Sequence, residues 1–547
     1  MKQNTRGRQR AQPRARWAVD GKIQWLYIGR MDCISERTYT HYHALRGEMA
    51  RWLVQSVQRD GPDRHGGGED EANYALSFFP HYLLTRDEAV AARFRTLRDD
   101  LKSWVENECL HGYEARAEAH HGTEPFLLFL PRYLGLFPDD EIARSLLEDA
   151  AHHIGNWIEE IPPWYDWQRD VFYSYQIGTE IIGDEARFAY ELAEHWRFVH
   201  IALAAQRVTG EARYGAWALR YGRRRAAQLV ECEGPLPLLW DMQGCGVQMA
   251  DIDTPEMRRM SAAEHHVVGD SLAGIENMLA SGVIYVLGDL YLASSESLFK
   301  QAARRLVEPL IDQLLDPFAD PAAAAIAYYR WAFDDTSLDG AIRRVLSAMP
   351  EEVEDEWVLM SPERRVRREA GVGKRRDMLY WGHWQADGTV QPSCQPSTAT
   401  LTLAYQLSGN LDYARRALGQ AAVKLSMARR ILRGGREHAD MGGAICSVAA
   451  GHGRNWGHGA VTGCYGPLLL GTRERAGSVV PLLEVEGGVP ESVLTLVRPP
   501  VDEEGEVAFY AAEEEVLRWR IEGERAWQSE TLKKGQWLRR SFSKRAR

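Results

Sequence analysis

Thr209-Gly210-Glu211-Ala212-Arg213-Tyr214 and Ser408-Gly409-Asn410-Leu411-Asp412-Tyr413-Ala414 are two versions of one phrase. In each, an apolar run ends, a glycine follows, and an acidic or amide residue comes next. Glycine takes up the left-handed conformation that closes a helix, and the polar residue opens the next one. The phrase is the corner of a helical hairpin. Related corners occur at Thr85-Arg86-Asp87, Phe137-Pro138-Asp139-Asp140, Ala293-Ser294-Ser295 and Asp334-Asp335-Thr336.

On either side of these corners the periodicity is helical from about residue 36 to 471. One class of helix, rich in Arg, Glu and Ala on one face, is expected at 36–58, 87–107, 140–157, 211–230, 295–315, 337–348 and 411–430. A second class, richer in small, apolar and aromatic residues, is expected at 71–83, 124–134, 189–208, 271–292, 321–333, 397–407 and 458–470. The second class lacks a broad charged face and reads as buried on most sides. The hairpins repeat degenerately every 45–60 residues or so. Corners from the second class to the first are short. The returns, at 59–70, 108–123, 159–188, 231–270, 349–396 and 431–457, are long. Alternation therefore gathers all the long loops at one end, and long loops usually carry function.

Fourteen helices of two alternating classes, the inner ones wrapped by the outer, resemble the (α/α)6 toroid superfamily over about residues 36–471. The expected fold is mainly α: an (α/α)6- or (α/α)7-type toroid with a small C-terminal β-rich appendage. Residues 1–35 form a basic extension, 36–471 the toroid, and 472–547 the β-rich domain. Strands are expected at 478–485, 492–497, 507–512, 516–521 and 530–538, and a charged excursion at 349–378. The resemblance implies a carbohydrate-active enzyme, since that superfamily contains glycoside hydrolases, polysaccharide lyases and sugar epimerases. It is a likeness of architecture, and function has to be argued from the site.

Composition narrows the choice. The chain has 547 residues, 45% hydrophobic and 26% charged, as in globular proteins. A net charge of −11 argues against a nucleic-acid-binding body. Seven cysteines without a CxxC argue against a disulfide scaffold. The basic N-terminus lacks the apolar stretch of a signal peptide, and no apolar run reaches about 18 residues. The expectation is a cytoplasmic protein with no membrane contact. Eighteen Trp and 22 Tyr against 14 Phe suit stacking on sugar rings, but they equally suit a large helical core.

The chemistry concentrates in the long loops. In 434–465, glycines interleave with Arg436, His438, Asp440, His452, Arg454, Asn455, Trp456, His458 and Tyr465. Glycine lets the backbone come close to a ligand, which makes this the strongest local signal. The 108–124 loop offers His111, Tyr113, Arg116, Glu118, His120, His121 and Glu124. Trp164 and Asp166, Trp240 and Asp241, and Trp381, His383 and Trp384 stand in the other loops, each equally compatible with ordinary core or surface. Cys109-Leu110-His111 and Gly463-Cys464-Tyr465-Gly466 share wording with lanthionine-cyclase-like zinc toroids. The order is reversed and the Cys-His dipeptide is missing, so no zinc site of that kind is expected.

The residues fit β-elimination from a uronic acid first: Arg454 and Asn455 neutralise the carboxylate, and His458, Tyr465, His121, His120 and Tyr113 move protons. His452, Trp456, Arg116, Glu124, Trp164, Asp166, Trp240, Asp241, Trp381, His383 and Trp384 would bind substrate. The alternative is a glycoside hydrolase, which needs two carboxylates. A non-catalytic carbohydrate-binding scaffold is the third reading. The expected partner is an acidic oligo- or polysaccharide. No cofactor is called for, while a structural metal and a homo-oligomer stay open.

Overall fold

The computed structural model describes residues 28–57, 69–115, 117–118, 123, 125–154, 157, 160–180, 186–261, 270–353, 357–360, 380–385, 387–431, 459–501 and 504–543. The helices alternate between an outer and an inner layer. Outer α1 (Ile28–Val57) leads to inner α2 (Glu69–Thr85). Outer α3 (Glu88–Glu108) leads to a π-helical turn (Pro125–Phe129) that runs into inner α4 (Leu130–Leu136). Outer α5 (Glu141–His152) precedes inner α6 (Trp196–Thr209). Outer α7 (Ala212–Glu231) leads through α8 (Pro255–Met260) and α9 (Ala273–Ala280) to inner α10 (Val283–Ser294). The last three pairs are α11 (Ser297–Val307) with α12 (Asp320–Ala332), α13 (Asp339–Leu346) with α14 (Thr398–Ser408), and α15 (Leu411–Ile431) with α16 (Tyr465–Leu469).

The inner elements pack in sequence around the lumen, and α16 fills the place between α14 and α2. The ring closes on its outside where α1 lies along α15. Glu48 of α1 holds Arg429 of α15 there at 2.7 Å. His41 packs over Gly419, where a β-carbon would come within 2.7 Å of its ring. Seven inner and seven outer elements can be followed among the described residues. The hairpin corners work as their residues dictate. Gly210 (φ 80°) and Gly409 (φ 67°) end α6 and α14, and their amides donate to Gln206 and Tyr405 carbonyls. Asp87, Asp140 and Ser397 cap α3, α5 and α14 by accepting from backbone amides.

Several helices differ from expectation: α1 begins at Ile28, inside the segment expected as an extension, α5 stops at His152, α16 spans only Tyr465–Leu469, and three others differ for a visible reason. The run expected at 189–208 starts at Trp196, because Tyr190–Glu191 pairs as a strand with Trp240–Asp241. That pairing delivers the buried Glu191 carboxylate to Arg224 (2.7 Å), Arg225 (3.1 Å) and the Tyr221 hydroxyl (3.1 Å). The run expected at 271–292 breaks at Ser281-Gly282, where Gly282 turns left-handed (φ 69°) and its carbonyl accepts from His200 Nε2 at 3.0 Å. The run expected at 295–315 ends at Val307, and Glu308–Gln313 tightens to a 3-10 turn because Pro309 has no amide to donate.

The C-terminal strands form two three-stranded sheets. One orders Leu483–Val485, Glu515–Ile521 and Gln528–Leu532; the other orders Val493–Arg498, Gly505–Ala511 and Trp537–Phe542. A preceding hairpin, Arg473–Arg475 with Ser478–Val480, enters the ring. Its contacts are with inner helices: Glu474 pairs with Arg132, Ala476 N–H donates to Asp289, and Arg207 donates to the Ala476 carbonyl. Val489 N–H donates to Leu84 O, and Arg498 to Gln406 O. The β-rich segment therefore closes the end of the ring where the short corners lie. The opposite end, at the N-termini of the inner helices, is left to the long loops. Among the described residues no single helix is long and apolar enough to cross a membrane.

Candidate functional site

The lumen holds a cavity of about 130 Å³. A cavity of similar size holds benzene, so the space is that of one six-membered ring. Tyr285, Tyr328 and Trp331 form aromatic wall, and Ala399, Thr462 and Gly463 stand toward the loop end. The floor is Arg132, Arg473 and Glu474. These floor groups are engaged: Arg132 binds Glu474 at 2.8 Å and the Leu128 carbonyl at 2.8 Å, and Arg473 pairs with Glu522 and covers the Trp331 ring. The floor is built to hold the plug.

The titratable groups with most to offer stand at the loop end. Asp320 is the first residue of α12, and its Oδ1 accepts from Ala399 N–H at 2.8 Å. Thr398 Oγ1 lies 2.9 Å from that oxygen and 2.8 Å from the Ala460 carbonyl. A hydroxyl has one proton, so as donor it serves one acceptor at a time. Asp320 Oδ1 and the Ala460 carbonyl thus share the one Thr398 proton. Burial pushes the Asp320 carboxyl up, against the lowering effect of Lys424 and the hydrogen bonds. Gly463 makes the approach feasible, since a β-carbon there would stand 2.8 Å from Asp320 Oδ1.

Lys424 projects from α15 into the same region and is 3% exposed. Its ammonium lies 5.1 Å from the Trp357 ring centre and 5.8 Å from that of Trp381. Among the described residues it makes ring-face and charge contacts rather than hydrogen bonds. Burial lowers its pKa, and the Asp320 charge works the other way. An acid pushed up and a base pushed down in one enclosure are a pair poised to exchange or lend protons. Two further buried carboxylates, Asp270 and Glu276, stand at and on α9, and α9 packs against α12.

The residues singled out from sequence divide three ways. His120, His121, Arg116, Glu124, His452, Arg454, Asn455, Trp456 and His458 lie outside the described residues. Tyr465 and Tyr113 are buried in packing. Tyr465 Oη pairs with His81 Nδ1 at 2.9 Å between α16 and α2, and Tyr113 Oη donates to the Ala150 carbonyl at 2.9 Å. Trp164 donates to Gly178 O, Trp240 packs against the Arg225 guanidinium, and Asp166 and Asp241 accept turn amides of Gln168 and Gln243. Those four side chains explain themselves as local structure. Trp381 and His383 are brought to the candidate site: they share a strand (Tyr380–Trp384) next to Trp357, whose ring centre is 4.0 Å from that of His383. Trp384 on the same strand is exposed.

Asp320 and Lys424 escaped the sequence reading. Asp320 sits in Ala-Asp-Pro, an ordinary helix start. Lys424 had a usable signal: with Ala417, Ala421 and Ala428 it completes the buried stripe of α15, where a lone lysine is out of place.

No protein-family description and no curated relative matches the sequence. Solved structures show a faint likeness. An unsaturated glucuronyl hydrolase specific for heparin shares 13% identity, with 73% of this chain and 98% of that one covered and a TM-score of 0.39. The unsaturated glucuronyl hydrolase of Bacillus sp. GL1, responsible for glycosaminoglycan degradation, shares 12%, with 57% and 84% covered and a TM-score of 0.41. Likenesses this distant carry no residue correspondence.

Proposed function

We propose that the loop end of the lumen is the active site of an enzyme cleaving glycosidic bonds in uronic-acid-containing oligo- or polysaccharides. The observation that carries this is the enclosed Asp320–Lys424 pair beside a ring-sized, aromatic-walled lumen. Asp320, its carboxyl pushed up by burial, supplies the proton to the leaving oxygen. Lys424 supplies the positive charge that a uronate carboxylate needs, and Trp357 and Trp381 supply the ring faces.

Hydrolysis is the favoured course. It needs a second carboxylate to direct water or attack the anomeric carbon, and Glu276 and Asp270 are the nearest candidates by element packing. β-Elimination is the second reading. The two tyrosines offered as its acid, Tyr465 and Tyr113, have their hydroxyls engaged with His81 and the Ala150 carbonyl. Its remaining proton carriers, His458, His121 and His120, belong to loops outside the described residues.

The test is incubation of the protein with a panel of uronate-containing saccharides, following reducing ends and ultraviolet absorbance together. Hydrolysis yields reducing ends alone. Elimination adds the absorbance of a C4=C5 double bond conjugated to the carboxylate, and its appearance would move the chemistry to the histidines. No cleavage anywhere on the panel would overturn the enzyme reading.

A further inference from the structure

At the plugged end, a second cavity of about 270 Å³ lies in the seam between the ring and the β-rich segment. Its lining comes from α12, α13, the last turn of α14 and the end of the Val493–Arg498 strand. It backs onto the lumen, since Trp331 and Gln406 line both spaces. Asp320 opens α12 at the loop end, and Arg330 stands near the other end of that helix, about 15 Å along its axis. The cavity is therefore separate from the proposed centre of cleavage.

Arg330, Arg343 and Arg498 all line this space. Arg330 is already engaged: it grips Asp339 through Nε at 2.6 Å and Nη2 at 2.7 Å, and the two charges cancel. The other two are held differently. Arg343 Nη1 donates to the Leu407 carbonyl at 3.1 Å, and Arg498 Nε donates to the Gln406 carbonyl at 3.2 Å. Those carbonyls belong to the last turn of α14 and have no partner inside the helix. A guanidinium has five N–H donors, so each arginine spends one and keeps the rest. Among the described residues neither forms an ion pair with a carboxylate. Glu506, opposite Arg498 across the strands, is taken by Arg539 at 3.2 Å. Glu504, exposed on the lining, offsets only one of the two charges. The cavity thus carries an excess of positive charge in a chain whose net charge is −11.

We propose that this cavity binds a sulfate or phosphate group through Arg343 and Arg498, either as the free ion or as the ester of a sugar-sized molecule. The guanidinium fork matches the geometry of such oxyanions, and its charge-assisted hydrogen bonds are the strong ones. Two forks suit a group with more than one negative charge and more than two acceptor oxygens. Each is tethered by one nitrogen to the same rigid helix end, so little side-chain freedom is lost on binding. The space exceeds what the ion alone needs. A cavity of about 150 Å³ already takes a benzene ring, and Trp331 and Pro499 give a ring an apolar wall here.

The test is equilibrium dialysis of the full chain with radiolabelled inorganic sulfate and, separately, phosphate, in about 0.1 M sodium chloride to screen diffuse attraction. One bound ion per chain is expected. Arg343→Gln, on an exposed side chain, should weaken binding at least about tenfold, the loss of one charge-assisted hydrogen bond. Arg344→Gln removes the same charge one residue along α13, outside the cavity lining, and should leave binding within about twofold, as for a screened exposed charge. Arg498→Lys keeps the charge without the fork and should also weaken it. Thermal unfolding of each variant shows that it is folded. Displacement of the label by glucosamine 6-sulfate identifies the source: stronger than by unlabelled sulfate, the ligand is an ester, and equal to it, the free ion. Absence of stoichiometric binding of both ions, or equal binding by the parent and a folded Arg343→Gln, would overturn the proposal.

Discussion

Asp289 shows how one side chain reports on the plug. It lies on α10, accepts from Ala476 N–H at 2.9 Å, and is pushed up to about 7 by burial. An unfolded aspartate titrates near 4. Between those values the folded chain holds a proton that the unfolded chain has released, so stability falls as pH rises from about 4 to 7. Asp289→Asn removes this titration. Its unfolding temperature should exceed that of the parent at pH 8 and converge with it near pH 4. Equal temperatures at pH 8 would contradict the burial argument. Sequence offered no sign of this: Gly-Asp-Leu in an apolar helix looks like a polar break. Its surroundings include a hairpin nearly 190 residues later, whose Glu474 charge adds to the rise while the Ala476 amide opposes it.

At the scale of elements, the corner phrases predicted the helices well because capping is local. Both glycine corners adopt the left-handed form that their residues require. What sequence missed was set by partners far along the chain, such as the break at Gly282, whose carbonyl serves His200. The close approach of the turn before α16 to α12 and α14 is of the same kind. A β-carbon on Gly463 would meet Asp320 Oδ1 at 2.8 Å, Gly459 O at 2.9 Å and Ala399 Cβ at 3.1 Å. Two of these neighbours are backbone or helix wall and yield little. Gly463→Ala should therefore destabilise the fold by about 1–3 kcal/mol. Denaturant unfolding checks this, and an unchanged midpoint would mean that the approach is looser than described.

The whole molecule is a ring whose plugged end is structural and whose loop end holds the unexplained titratable groups. Buried histidines tie it to neutral pH. His81 and His195 are pushed down to about 4 and His200 to about 3, each mainly by burial. An unfolded histidine protonates near 6.5, so each loses up to about 3 kcal/mol of stabilisation as pH falls from 6.5 toward 4. Asp289 gains about 4 kcal/mol over a similar span, so the three histidines prevail. Net acid destabilisation beginning near pH 6.5 is expected in thermal unfolding series. A midpoint that rises steadily down to pH 4 would contradict it. The ring and its polarity were legible from the alternation of corner lengths. The site was legible only in part: Trp381 and His383 were named, whereas Asp320 and Lys424 meet only through closure of α12, α14 and α15.

In the proposed reaction Asp320 delivers the proton for glycosidic cleavage at the loop end. The most direct measurement compares reducing-end release from uronate-containing oligosaccharides by the parent and by Asp320→Asn, with thermal unfolding recorded for both. Asp320→Asn should lose at least about 100-fold in rate, as expected for removal of a general acid, with an unfolding temperature close to the parent's. Cleavage that persists in a folded Asp320→Asn protein would contradict it.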